Sequence, residues 1–148
     1  MVSVPRISTK TNRDMALDRS PKVSIRADCD GAPEKQLLRD LNIAFARADV
    51  DGILACFSDD ICWRIMGETE IQGKMAARAT LTAMADLVIS ELVIHSIITD
   101  GREAAVSGVI TSESGESVAF CDVCQFASSA GEAIKKMTSY TVAVKTED

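Results

Sequence analysis

Residues 118–126 read VAFCDVCQF, a run that is largely apolar but carries one carboxylate, Asp122, at its centre. In a β-strand, successive side chains point to opposite faces of the sheet. This alternation places Phe120 and Phe126 on the same face as Asp122, and the two phenylalanines predict that this face is buried. An unpaired carboxylate is costly in an apolar interior. Asp122 is therefore predicted to be hydrogen-bonded, protonated or functional.

The size and charge of the chain limit what it can be. Its 148 residues, 47% of them hydrophobic, predict one domain with a substantial core. The net charge of -6 argues against nucleic acid as a partner, because phosphate binding needs a cationic surface. The charge is uneven, since the first 27 residues hold six Lys or Arg against two acids. We predict a flexible basic extension over residues 1–30 and a folded domain over residues 31–148, with a transit peptide as the weaker alternative for the extension.

The sequence contains no run of roughly 18 to 20 apolar residues and no apolar core of a signal peptide. We therefore expect a cytoplasmic protein that makes no contact with a membrane. Five cysteines without a secretion signal indicate reduced thiols. Cys121 and Cys124 form a C-x-x-C, but an offset of three residues in a strand puts the two sulfurs on opposite faces. No second pair with zinc-site spacing follows, so no metal is expected.

The hydrophobic pattern changes its period along the chain. Spacings of three and four after Pro33 predict a helix over residues 34–48, and Asp49 is placed to cap a second helix that ends near Phe57. Two short strands follow, ICWRIMG and TEIQG, and then a third helix over residues 74–88. Four segments of period two between residues 90 and 144 are separated by glycine-containing turns. The pattern predicts an α+β domain with three helices and a mostly antiparallel sheet.

The order of these elements resembles the nuclear-transport-factor-2-like (NTF2-like) superfamily, in particular its SnoaL-like branch, which includes polyketide cyclases and Δ5-3-ketosteroid isomerase. The resemblance covers about residues 34–144 and rests on four phrases in order: FARADVDGILACFSDDICWRI, IQGK, ITDGREAAVSG and FCDVCQF followed by GEAIKKMTSYTV. It implies a curved sheet wrapped around a long helix, forming a cone with a mostly apolar pocket. It also implies a homodimer through the outer face of the sheet.

Asp122 falls on the aspartate of the D-x-F-x-F strand of the isomerase, with Cys124 and Phe126 at the two aromatic positions. In that family the aspartate is kept protonated and donates a hydrogen bond to the substrate oxygen. The catalytic base of the isomerase falls on Ile65 and its oxyanion tyrosine on Leu41, and neither side chain can take that role. We therefore exclude isomerase activity by that mechanism, and we keep Asp122 as a candidate acid or hydrogen-bond donor.

The resemblance and the alternation of the strands together predict a pocket that binds a small hydrophobic molecule. Polyketide cyclases of this superfamily pair an interior aspartate with a histidine, which makes the only histidine, His95, a candidate partner of Asp122. Both alternations of the strand LVIHSII carry apolar residues, so an outward or interface histidine stays open. The residues predicted to line the pocket with Asp122 are Ile61, Trp63, Ile65, Phe120, Cys124, Met137, Ser139 and Thr141.

Three functions follow from these predictions. The first is an enzyme that acts on a small carbonyl compound by isomerase, cyclase or dehydratase chemistry, with Asp122 as acid or base. It needs no cofactor, because the sequence has no metal-ligand cluster and no Gly-rich phosphate loop. The second is a binding or sensing domain without catalysis. The third is an interaction module whose sheet face forms a homodimer while the pocket is incidental. Separately, Asp122 can be a structural residue bonded to a backbone N–H, the Trp63 indole or a hydroxyl group.

Overall fold

The computed structural model describes residues 20–128 and 131–145, which form an α+β domain as predicted. The described part contains three helices and seven strands. Along the chain they are β1 (Lys22–Ile25), α1 (Pro33–Ala46), α2 (Val50–Leu54), β2 (Phe57–Ile65), β3 (Thr69–Gln72), α3 (Lys74–Met84), β4 (Ile89–Asp100), β5 (Glu103–Ser112), β6 (Ser117–Phe126) and β7 (Ile134–Val144).

All seven strands belong to one curved, open sheet with the order β1-β4-β5-β6-β7-β2-β3. Strands β4 to β7 form an antiparallel meander, and β2 and β3 form an antiparallel pair. The two parallel contacts join β1 to β4 and β2 to β7. The sheet is therefore mostly antiparallel, and β2, the first long strand, lies beside β7, the last.

The helix starts follow the sequence signals. Pro33 lies in the first turn of α1, where its missing N–H removes no helical hydrogen bond. The Asp49 side chain caps α2 by accepting a hydrogen bond from the Gly52 N–H at 3.0 Å. The predicted end of α2 is wrong: the helix stops at Leu54, and Phe57 begins β2. The segment FSDD therefore belongs to the strand, where the pairing with β7 is irregular between Phe57 and Cys62.

Strand β1 lies inside the segment predicted to be flexible and corrects that prediction. Residues 22–25 pair in parallel with Glu91–Ile94 of β4, and the Arg26 N–H donates to the Ile94 carbonyl at 3.0 Å. The ordered domain thus includes residues from Lys22 onward rather than from residue 31. Residues 1–19 of the predicted extension lie outside the described residues.

The core fills the space between the helices and the inner face of the sheet. Leu38 and Leu41 of α1 are fully buried against it, as are Ile61 of β2 and Phe126 of β6. Burial of such side chains from water is the main favourable term in folding. No helix in the described ranges is long and apolar enough to cross a bilayer.

Candidate active site

Strand β6 places a carboxyl group in the interior. Asp122, Cys124 and Phe126 are 7%, 2% and 0% exposed, whereas Val123 between them is 41% exposed. The pairing of β6 with β5 is regular from residue 117 to residue 125, so the alternation is not interrupted at Asp122. The prediction that this side chain faces inward is confirmed.

Asp122 is the end of a short hydrogen-bond network that joins three strand residues. Ser139 of β7 lies directly opposite Asp122, and its hydroxyl hydrogen-bonds the carboxyl group. The Trp63 indole N–H of β2 donates to the Ser139 hydroxyl oxygen at 3.0 Å. A hydroxyl has one hydrogen to donate and also accepts. With its oxygen accepting from Trp63, Ser139 directs that hydrogen to Asp122.

Burial changes the acidity of this site. It raises the pKa of Asp122 from 3.8 to about 6, and the hydrogen bond from Ser139 opposes this rise. Burial, and then the neighbouring Asp122, raise the pKa of the Cys124 thiol well above its ordinary value. The thiol therefore stays neutral, while the carboxyl group exists in both protonation states near neutral pH.

The other predicted pocket residues differ in their burial. Ile61, Trp63, Ile65, Cys124 and Met137 are at most 5% exposed, and Ser139 is 9% exposed. Phe120 is half-buried. Thr141 is exposed, in contrast to its predicted position inside the pocket, because β7 is exposed from residue 140 to its end. Most of this set is thus buried, Phe120 is half-buried and Thr141 is exposed.

His95 lies on the surface and not beside Asp122. Ile94 pairs with Gly108 and Ser96 pairs with Ser107, so His95 is the extra residue of a β-bulge in β4. Its side chain is exposed, and β5 separates its strand from β6. In the part of the chain that the structure describes, no hydrogen bond or ion pair joins His95 to Asp122. The structure therefore gives no support to a pair of these two residues.

An apolar cleft of about 80 Å³ lies on the helix side of the network. It is bounded by α2, by the C-terminal ends of α1 and α3, and by β4 and β5, and Phe45, Met84 and Ile110 are among its lining residues. None of the predicted pocket residues lines it. The Phe45 ring meets Trp63 edge-on, with 5.8 Å between the ring centroids. Phe45 thus stands between the apolar cleft and the Trp63–Ser139–Asp122 network.

The hydrophobic pattern of the sequence carries little signal for this cleft. Its walls are alanines, aliphatic side chains, Met84 and Phe45, contributed by separate elements, and such residues are indistinguishable from ordinary core. The described residues also contain no group of three His, Cys, Asp or Glu side chains that could hold a metal ion.

A curved open sheet of seven strands with three helices is the fold of the NTF2-like class of α+β domains. Residues 38–137 match the family model of the SnoaL-like domain. The match covers more than half of the chain, which therefore belongs to that family, and the resemblance drawn from the sequence is confirmed. A search of curated proteins finds no match.

Solved structures support the same fold. An NTF2-like protein of unknown function from Burkholderia xenovorans LB400 is 16% identical, with a TM-score of 0.66 over 82% of this chain and 91% of that one. A protein assigned as a SnoaL-like polyketide cyclase from Shewanella denitrificans OS-217 is 12% identical, with a TM-score of 0.62 over 75% and 91% of the two chains. An LEH-like epoxide hydrolase from M. tuberculosis is 18% identical, with a TM-score of 0.62 over 74% of this chain and 83% of that one.

Proposed function

We propose that this SnoaL-like domain binds a small hydrophobic molecule between its helices and the inner face of the sheet, and that Asp122 exchanges a proton with it. The observation that carries the proposal is a carboxyl group only 7% exposed whose pKa is raised to about 6. Groups with strongly shifted pKa values are concentrated at functional sites. Phe120, the inward-facing residue of β6 next to Asp122, is only half-buried. The inner face of the sheet is therefore less covered at Phe120 than at Asp122.

The acidity of Asp122 suits both halves of acid/base catalysis. With a pKa of about 6, roughly one molecule in ten carries the proton at pH 7. A catalytic group is most efficient when its pKa lies near the working pH. The deprotonated majority can abstract a proton next to a carbonyl, and the same group can then return that proton at another atom. Ser139 and Trp63 hold the carboxyl group in place through their hydrogen bonds.

The chemistry proposed for Asp122 does not use His95, since the bulge in β4 leaves that side chain exposed. It uses the chain's own residues and no cofactor. The names of two structural neighbours, a polyketide cyclase and an epoxide hydrolase, are those of enzymes and are compatible with a catalytic role. We also propose the cytoplasm as the compartment, because all five cysteines are free thiols.

Proton exchange on a simple ketone tests this function. In D2O, the wild-type protein is expected to speed the exchange of the α-hydrogens of cyclohexanone, measured by proton NMR. Asp122→Asn should lose about 100-fold or more of that acceleration, the usual contribution of a general base. Asp100→Asn is the matched control, because it makes the same change at an exposed carboxylate.

The outcomes of this experiment distinguish an enzyme from a binding domain without catalysis. Saturable cyclohexanone binding with exchange at the buffer rate would favour a binding domain and remove the catalytic role. Failure of cyclohexanone and of larger cyclic ketones to bind would remove the ligand site as well.

A second function, self-association, is favoured by the outer face of the sheet. Ile98 of β4, Val123 of β6, and Tyr140 and Val142 of β7 are 65%, 41%, 46% and 67% exposed. Exposed apolar patches of this kind mark interaction surfaces. We therefore propose that two copies of the chain pair through this face, with His95 exposed on β4 nearby, and that the inner site works independently in each copy.

A further inference from the structure

Asn42 of α1 is a buried polar residue that the proposed proton chemistry does not use. Its side chain is 5% exposed, and its amide nitrogen donates to the Leu38 carbonyl at 2.8 Å. Because that carbonyl can only accept, the amide nitrogen must face it, and the side-chain oxygen must face away. Among the residues that the structure describes, no donor reaches that oxygen. A buried acceptor without a partner is unfavourable, and such groups call for an explanation.

The position of Asn42 relates this free acceptor to the apolar cleft. Phe45 and Ala46, three and four residues further along α1, both line the cleft. Helical residues at these spacings lie on the same side of the helix, roughly 5–6 Å apart at their Cβ atoms. The cleft is lined by apolar side chains, so the Asn42 amide is a polar group one helical turn beyond its wall. Along α1, Phe45 is the lining residue nearest to Asn42.

We propose that Asn42 is a specificity-determining residue, which accepts a hydrogen bond from a hydroxyl group on the ligand. This inference rests on the proposed function and makes the ligand class narrower: a ring-sized hydrocarbon skeleton that carries a hydroxyl group. The cleft, at about 80 Å³, is smaller than the roughly 150 Å³ cavity that encloses benzene. The ligand therefore displaces the Phe45 ring as it enters, which brings its hydroxyl group to Asn42.

Displacement of Phe45 also connects the two polar sites. The ring of Phe45 rests on Trp63, which is bonded to Ser139 and through it to Asp122. A ligand that takes the place of this ring contacts Trp63 directly. Asn42 then holds the hydroxyl end of the ligand on the helix side, while Asp122 on the sheet side exchanges a proton with the ligand.

Phenol and toluene test the assignment, because they have nearly the same shape and differ in a hydroxyl against a methyl group. Affinities are measured by NMR titration of the full chain at pH 7. We expect wild type to bind phenol about tenfold more tightly than toluene, the effect of one buried hydrogen bond. Asn42→Leu should reduce this preference to less than twofold, without weakening the binding of toluene, and should raise the midpoint of thermal unfolding.

Thr80→Val is the matched control, because the Thr80 hydroxyl makes the same bond to a carbonyl four residues earlier but on an exposed helix surface. It should leave the preference unchanged. The side-chain amide resonances of Asn42 in wild type give a second readout that requires no variant: they should shift with phenol and not with toluene.

Three results would overturn the inference. A phenol preference that survives in Asn42→Leu would place hydroxyl recognition elsewhere and leave the proposed function intact. Equal binding of phenol and toluene by wild type would show that the hydroxyl group is not recognised, and would also leave the proposed function intact. If neither probe binds to wild type, the ligand site itself fails along with the inference.

Discussion

The two faces of strands β6 and β7 differ in a way that points to two separate uses. On the inner face, Asp122 and Ser139 are polar groups in an apolar interior, at 7% and 9% exposed. On the outer face, Val123, Tyr140 and Val142 are apolar or aromatic groups in contact with water, at 41%, 46% and 67% exposed. Each face therefore carries residues that its surroundings disfavour in an isolated chain. A ligand on the inside and a partner on the outside would relieve the two costs independently.

The largest contrast between the faces is expected for aromatic truncation. Phe126→Ala removes a fully buried ring and should lower the free energy of unfolding by about 3–5 kcal/mol. Tyr140→Ala, on the outer face, should change that free energy by less than about 1 kcal/mol in the monomer. Denaturation by urea measures both, with the slope of the transition unchanged. Equal losses for the two variants would contradict the assignment of the faces.

The next largest effect is the pH dependence caused by Asp122. Its pKa is about 6 in the folded chain, against an ordinary value of 3.8. Between these values the folded state binds more protons than the unfolded state, so the free energy of unfolding falls as pH rises. This stabilisation is fully present below pH 3.8 and is lost as pH rises through about 6. A difference of about two pKa units corresponds to about 3 kcal/mol.

Asp122→Asn should therefore flatten this part of the stability profile and raise the free energy of unfolding at pH 7 by up to about 3 kcal/mol. Urea denaturation from pH 3.5 to pH 7.5 measures the change. Asp100→Asn, at an exposed carboxylate, should leave the slope in place. A wild-type profile that rises between pH 4 and pH 6 and keeps its shape in Asp122→Asn would refute the raised pKa.

A smaller loss is expected at Ser139. Ser139→Ala leaves the buried Trp63 N–H without its acceptor, which should cost about 1–3 kcal/mol of the free energy of unfolding. It also removes the hydrogen bond that holds the pKa of Asp122 down, so that pKa should rise further. Thr141→Ala, two residues along the same strand and exposed, should do neither. Carboxyl NMR titration and tryptophan fluorescence report the two effects.

The smallest effect on the stability of the single chain is expected at Val142. Val142→Ser on the outer face should change the free energy of unfolding by less than about 0.5 kcal/mol. It should nevertheless weaken self-association, measured by sedimentation equilibrium, because it removes the most exposed apolar side chain of β7. A wild-type protein that stays monomeric at millimolar concentration would contradict the proposed pairing through this face.

The sequence predicted the inner face of β6 because two properties agree there. The strand pairs regularly with β5 around Asp122, and both of its phenylalanines lie on the face that carries Asp122. The helix starts were also predictable, since Pro33 and Asp49 act through local backbone chemistry. The same alternation accounts for the burial of Trp63, Met137 and Ser139 on the neighbouring strands.

Three features depended on information that the pattern of a single chain does not contain. The bulge at His95 shifts the alternation of β4, so that Ile94 and Ile97 are both buried, and both faces of that strand were apolar enough to hide the shift. Strand β1 is short and follows basic residues, so its pairing with β4 left no periodic signal. Asn42 looked like an ordinary helix residue, because its unsatisfied oxygen is defined only by what surrounds it.

The docking of β1 against β4 has a consequence for solubility. Without β1, the outermost strand would be β4, and its free backbone N–H and C=O groups would offer a template for another chain to add a strand. The segment from Lys22 to Ile25 occupies that template in cis along Glu91–Ile94. At the opposite border, β3 is only four residues long and carries the charged Glu70. Clipping the chain after Ile25 should therefore promote amyloid-like stacking before it disturbs the site around Asp122.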